Sequence, residues 1–189
     1  MEINYEKYYN LEEYLFNDVQ KRFHHQHYLS AFDFFCILLW KANRVKGQHA
    51  KRLLLLENED NLEEISKRIT KAIYCAKEPK GKLFILFKTY KFLLPTASAI
   101  LSVLYPDTFS VYDYRVCSQL KKDFKGLAYK TNFDNIWNGY QEYLADVKSE
   151  SAKSNYREAD KYLWGKSFCK QLKKDIKNNF KLDGQVDNE

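Results

Sequence analysis

An all-α fold is what this sequence predicts, on three grounds. Apolar residues recur at i, i+3 and i+4 through most of the chain, the spacing of amphipathic helices. Only 6 Gly and 3 Pro punctuate 189 residues, too few turns for a sandwich or barrel of short strands. Hydrophobic residues make up 45% of the chain and aromatic residues 16%, enough to bury a core without covalent staples. A single helical domain over residues 1–182 is expected, followed by a frayed tail at Asp183–Glu189.

From about Asn10 to His27, Leu11, Tyr14, Leu15, Val19 and Phe23 share one helical face, with Asn10 placed to cap. Ser30 to Trp40 is apolar almost all round and predicts a core helix capped by Ser30, with Asp33 three residues on. Asn61-Leu62-Glu63-Glu64-Ile65 opens an amphipathic helix through about Cys75, its glutamates at the positive end of the dipole. The Glu78-Pro79-Lys80-Gly81 stretch is expected to end it. Lys82 to Lys91 predicts a short apolar and basic helix, and Pro95 then takes the first turn of a helix closed by Tyr105-Pro106-Asp107. An extended link, Thr108 to Tyr112, leads to a helix expected from Asp113 to about Phe124. Two more are expected, from about Asn132 to Val147 and from about Tyr156 to Phe180.

Cys36, Cys75, Cys117 and Cys169 lie far apart, with no zinc spacing, and are expected as reduced, mostly buried thiols. Met1-Glu2-Ile3-Asn4-Tyr5 carries no basic-then-apolar signal and no apolar run approaches a membrane span, so a cytoplasmic location is expected. The formal net charge of +6 suits a polyanionic partner without requiring one.

Three blocks stand out. The first is Trp40-Lys41-Ala42-Asn43-Arg44. The second is Pro95-Thr96-Ala97-Ser98-Ala99-Ile100-Leu101 with Tyr105-Pro106-Asp107-Thr108-Phe109-Ser110-Val111-Tyr112-Asp113-Tyr114-Arg115-Val116. The third is Arg157-Glu158-Ala159-Asp160-Lys161-Tyr162-Leu163-Trp164. In this order, and across most of the chain, they resemble the small bacterial members of the helix-hairpin-helix DNA glycosylase superfamily.

The resemblance implies a two-lobed helical domain with a cleft between the lobes. It also implies a helical hairpin gripping a DNA phosphate through backbone N–H groups, and an aspartate facing the sugar of a flipped-out nucleotide. Asp113 occupies the matching place, and Pro95 stands where bifunctional relatives carry a Schiff-base lysine, so no β-lyase step is expected. DNA contacts are implied for Arg115, Lys88, Lys91, Thr96 and Ser98, with Trp40, Lys41, Asn43 and Arg44 at the base pocket or strand. Two departures are visible: Lys91-Phe92-Leu93-Leu94 replaces the Gly-x-Gly of the hairpin loop, and the four-cysteine iron–sulfur cluster is missing.

Breaking an N-glycosidic bond builds positive charge on the sugar, which one fixed carboxylate can stabilise while it orients water. Asp113 suits that role, and it equally suits a plain helix N-cap. Arg115 suits a phosphate, or solvent. A tryptophan closing an apolar helix, as Trp40 does, is commonly core. His24, His25 and His27 are expected at the surface rather than on a metal. Asp160 and Trp164 share a face, with Arg157 paired along it, and are expected to be structural. The lysines at 170, 173, 174 and 177 are expected as a solvated face.

The function expected is a monofunctional DNA glycosylase, acting as a monomer on DNA with no metal or organic cofactor. A helical DNA-binding module without catalysis and a helical partner-binding protein are the alternatives.

Overall fold

The computed structural model describes residues 4–180, and every regular element among them is helical. After a 3-10 turn at Glu6–Tyr8, α1 (Leu11–Tyr14) begins under the side chain of Asn10, which accepts the Glu13 N–H. The chain passes through a π-helical stretch, Leu15–Val19, into α2 (Gln20–Gln26), which stops where His27 turns left-handed at φ 67°. Tyr14, Leu15, Val19 and Phe23 form its buried side, so the opening helix is as expected, widened in its middle.

Ser30 caps α3 (Ala31–Ala42) by accepting the Asp33 N–H, and Phe34, Ile37 and Leu38 are buried beneath it. A 3-10 turn at Asn43–Val45 leads into α4 (Lys46–Glu57), which the sequence had not disclosed. Four consecutive leucines there carry no helical period. Leu53 is fully buried and Leu55 is exposed.

Asn61 caps α5 (Leu62–Cys75) through the N–H groups of Glu63 and Glu64. Pro79 then opens α6 (Pro79–Phe84), which continues as a π-helical stretch at Ile85–Thr89. The expected helix from Lys82 to Lys91 therefore starts earlier, because a proline lacking its N–H fits the first turn. α7 (Leu94–Leu104) carries Pro95 in its first turn and is buried along nearly its whole length, packed on α3.

The helix expected from Asp113 to Phe124 is a correction: α8 is a single turn, Tyr114–Cys117. The Ser118 hydroxyl donates to the Arg115 carbonyl at its end, and the chain turns to a 3-10 segment at Lys125–Tyr129. Burial of Phe124 draws that stretch inward, with its carbonyl accepting from the Tyr112 hydroxyl. Asn132 caps α9 (Phe133–Ser151) and Asn155 caps α10 (Tyr156–Lys177), which packs on α9 and α8. One hydrophobic cluster runs from Tyr14 to Leu163. The expected tail at Asp183–Glu189 lies outside the described residues.

One other reading needs adjustment. Cys36 and Cys117 are buried but Cys75 and Cys169 are exposed, all four as free thiols. His24, His25 and His27 are exposed, yet His24 Nε2 lies 2.8 Å from the Leu104 carbonyl at the end of α7 and His27 stacks on Tyr74. Among the described residues no helix is long and apolar enough to cross a membrane, and no group of three His, Cys, Asp or Glu is placed to hold a metal ion.

Candidate active site

The extended segment before Asp113 is buried with no sheet to pair with, so its backbone groups must find side-chain partners. Ser98 Oγ, on α7, accepts the Tyr112 N–H at 2.9 Å. From α9, the Tyr140 hydroxyl donates to the Ser110 carbonyl, and the Tyr143 hydroxyl donates to the Val111 carbonyl at 2.6 Å. Burial pushes both phenols well above their ordinary range, which keeps them protonated as donors. Asp113 is thus delivered by an extended segment fixed from two helices.

Asp113 uses its two oxygens differently. Oδ1 accepts the Arg115 N–H at 2.9 Å, capping α8, and Oδ2 accepts from Lys41 Nζ at 2.7 Å. The carboxylate side chain stays 26% exposed and the Lys41 side chain 14%, so the pair is open on one side. That side faces a pocket of about 380 Å³ lined by Trp40 and Lys41 of α3, Val111 and Asp113, Glu12 of α1, and Arg157, Asp160, Lys161 and Trp164 of α10. Volumes of roughly 300–1,000 Å³ are usual for small-molecule sites. Four segments distant in sequence meet here, and all but Glu12 belong to the three blocks singled out above.

The helical spacing of α10 explains its share. Residues 157, 160, 161 and 164 lie at i, i+3, i+4 and i+7, one face of a helix. Arg157 binds across the junction. It donates to Asp160 Oδ2 at 2.9 Å, pairs with Glu12 of α1, and lays its guanidinium over the Phe16 and Trp40 rings. Burial opposes ionisation of Glu12, but the charges of Arg157 and Lys161 prevail and hold its carboxyl below the usual range.

Asp160, expected to be structural, is the residue sequence reasoning missed. Its Oδ1 atom is buried and has no hydrogen-bond partner among the described residues. Burial pushes its carboxyl up to about 7, against the pull of Arg157 and Lys41 and with the Asp113 and Glu12 charges adding to the rise. The pairing with Arg157 was legible at i, i+3. Burial of that pair inside a pocket was not.

The other expected contacts divide. Trp40 and Lys41 line the pocket, whereas Asn43 and Arg44 sit exposed in the turn after α3, where Asn43 accepts from Lys46. The Arg115 guanidinium lies 5.4 Å from Trp164 and 5.8 Å from Phe168, two rings that stack on each other, so it packs on α10 and is not itself part of the pocket lining.

Lys88 donates to the Thr131 carbonyl and borders a different hollow with Phe84 and Asp134. Lys91 stands in the turn before α7 with φ 56°, and Thr96 is half-buried in that helix's first turn. None of these three lines the Asp113 pocket. Ser98 is a correction: it is fully buried and holds the Tyr112 N–H, so its hydroxyl is spent inside the protein and does not face a ligand.

Chemically, the pocket offers two aromatic walls, three carboxyl groups in unlike surroundings (Glu12, Asp113 and Asp160), and cations from Lys41, Arg157 and Lys161. Compared with protein-family models, with curated proteins and with solved structures, the chain finds no match.

Proposed function

We propose that this protein is a monofunctional DNA glycosylase of the helix-hairpin-helix type, its two lobes meeting at the Asp113 pocket. A flipped base enters between Trp40 and Trp164, and water replaces it at C1′ to leave an abasic site. Asp113 stabilises the positive charge that gathers on the sugar as the bond lengthens and orients the water. Lys41, Arg157 and Lys161 favour the polyanionic strand. The observation that carries this reading is the convergence of the three blocks on one pocket with a half-open Asp113 at its wall.

The test is a screen of the pure protein against DNAs bearing varied base lesions, with alkali to cut abasic sites. Alkali-dependent cleavage of at least one lesion strand is expected. Binding without excision of any lesion supports a second reading, a DNA-binding module without catalysis, which is favoured by the engagement of both Asp113 oxygens by Arg115 and Lys41. Undetectable DNA binding at low salt sinks both.

A further inference from the structure

Asp160 has no part in the chemistry assigned above, yet its placement is costly. It lines the pocket, is 7% exposed, and leaves Oδ1 buried without a partner. A dry, unpaired carboxylate oxygen is among the more expensive groups a fold can hold, and a neutral side chain on this turn of α10 would avoid the cost.

The cations near it are shared with other carboxyls, Lys161 lying 3.5 Å from Glu12. Arg157, on the same helix, divides its guanidinium between Asp160 and Glu12. Lys41, reaching from α3, donates to Asp113. Asp113 and Glu12 bring negative charge toward it, and the Tyr140 and Tyr143 phenols of α9 lie close enough to feel its charge while donating to backbone carbonyls. Burial outweighs the pull of Arg157 and Lys41, and the carboxyl, pushed up to about 7, holds a proton near neutrality.

Asp113 sits in the opposite setting, half-open and matched by an ammonium and a backbone N–H. Asp113 and Asp160 thus share one pocket in unlike surroundings, one partly exposed and paired with an ammonium, the other buried with an oxygen left over. In such a setting one carboxyl stabilises charge and the other donates a proton.

We infer that Asp160 donates the proton taken up by the departing base, and that the substrate is therefore a neutral base rather than a cationic alkylated one. The inference rests on the glycosylase reading. As the C1′–N bond breaks, its electron pair stays on the base and the Asp160 proton passes to the base. The water oxygen bonds C1′ and gives its proton to Asp113 or solvent, and Asp160 recovers a proton from solvent. A base that already carries positive charge leaves without this help.

Two measurements test it, the first without substrate. A 13C NMR titration of the aspartate carboxyls in the whole protein, with Asp160→Asn identifying the resonance, should place the Asp160 midpoint near 7. A midpoint below about 5, close to the ordinary range, overturns the inference whatever the enzyme cleaves. The second follows release of hypoxanthine, as a neutral probe, and 7-methylguanine, as a cationic one, from duplex DNA across pH. Asp160→Asn should slow hypoxanthine release by about 10²-fold or more and abolish its decline above neutral pH, with 7-methylguanine release nearly unchanged. Equal loss on both bases, or a wild type that releases only the cationic one, overturns the proton-donor role. If the wild type opens abasic sites in no lesion DNA at all, the glycosylase reading falls, and the NMR midpoint still reports separately whether Asp160 holds the proton.

Discussion

Lys41 Nζ donates to Asp113 Oδ2 at 2.7 Å, joining the end of α3 to the start of α8 at the pocket wall. The contact occupies both partners: one Lys41 N–H and the second Asp113 oxygen are spent on each other, the first oxygen capping α8.

Asp113→Asn therefore separates catalysis from folding. Asparagine caps a helix about as well as aspartate, so the Arg115 N–H keeps its acceptor and the variant should stay folded and bind DNA. Excision should fall by about 10²-fold or more, the scale of losing one electrostatic stabiliser. Undiminished excision by the variant would refute the role of Asp113.

Borohydride should trap no protein–DNA adduct during turnover, because Pro95 stands where a Schiff-base lysine is carried and the pocket amine nearest Asp113 is already engaged as its hydrogen-bond donor. Peptide mapping checks the point. An adduct on Lys41 would overturn the monofunctional assignment, and Lys91 is not the residue to suspect, since it lies outside the pocket lining.

Stability should depend on pH through Asp160. Its proton is held more tightly in the folded chain, up to about 7 against an ordinary 3.8, so the folded state binds more protons between those values and loses stability as pH rises through them. Below that window both states are protonated, and above it both are ionised. In Asp160→Asn the dependence disappears, so the melting temperature of the variant relative to wild type should climb from pH 4 to pH 7, roughly this window, and then level off. A constant difference by calorimetry would contradict the assignment. Glu12 shifts the other way, and the comparison cancels it.

Ser98→Ala should cost about 1–3 kcal/mol by leaving the buried Tyr112 N–H without its acceptor. Excision should fall as well, because the extended segment that delivers Asp113 loosens. Denaturant unfolding and abasic-site release on the same preparation check both halves, and restoration by Ser98→Thr would identify the hydroxyl as the cause.

Lys91→Gly should raise stability by about 0.5–1 kcal/mol, since Lys91 holds a left-handed backbone at φ 56° that glycine adopts without penalty. Phe92 and Leu94, both fully buried, anchor the turn regardless. A loss of stability on calorimetry would mean that the lysine makes an interaction stronger than its strain.

The helices were legible where caps and periodicity agree. Asn10, Ser30 and Asn61 all accept the N–H groups their positions foretold. α4 escaped because its leucines run without period, and α8 ended early because Phe124 is held by Tyr112, a contact that no local spacing encodes. At the pocket, Asp113, Trp40 and Lys41 could be marked from sequence. Asp160 could not, because an i, i+3 ion pair looks the same whether it faces solvent or is buried against Asp113 and Glu12. Ser98 was misplaced for a related reason: α7 is apolar all round, so its one backbone-holding hydroxyl resembles a surface serine.

α10 supplies four residues of the pocket wall in two turns, and Arg157 is the tie that fastens this helix to Glu12 near the other end of the chain. During synthesis, then, a ribosome that has made everything through α9 has made Asp113 and its extended segment but only part of a pocket. The pocket is complete only once α10 closes against α1, and a chain cut short before α10 carries the Asp113 carboxylate without the wall that encloses it.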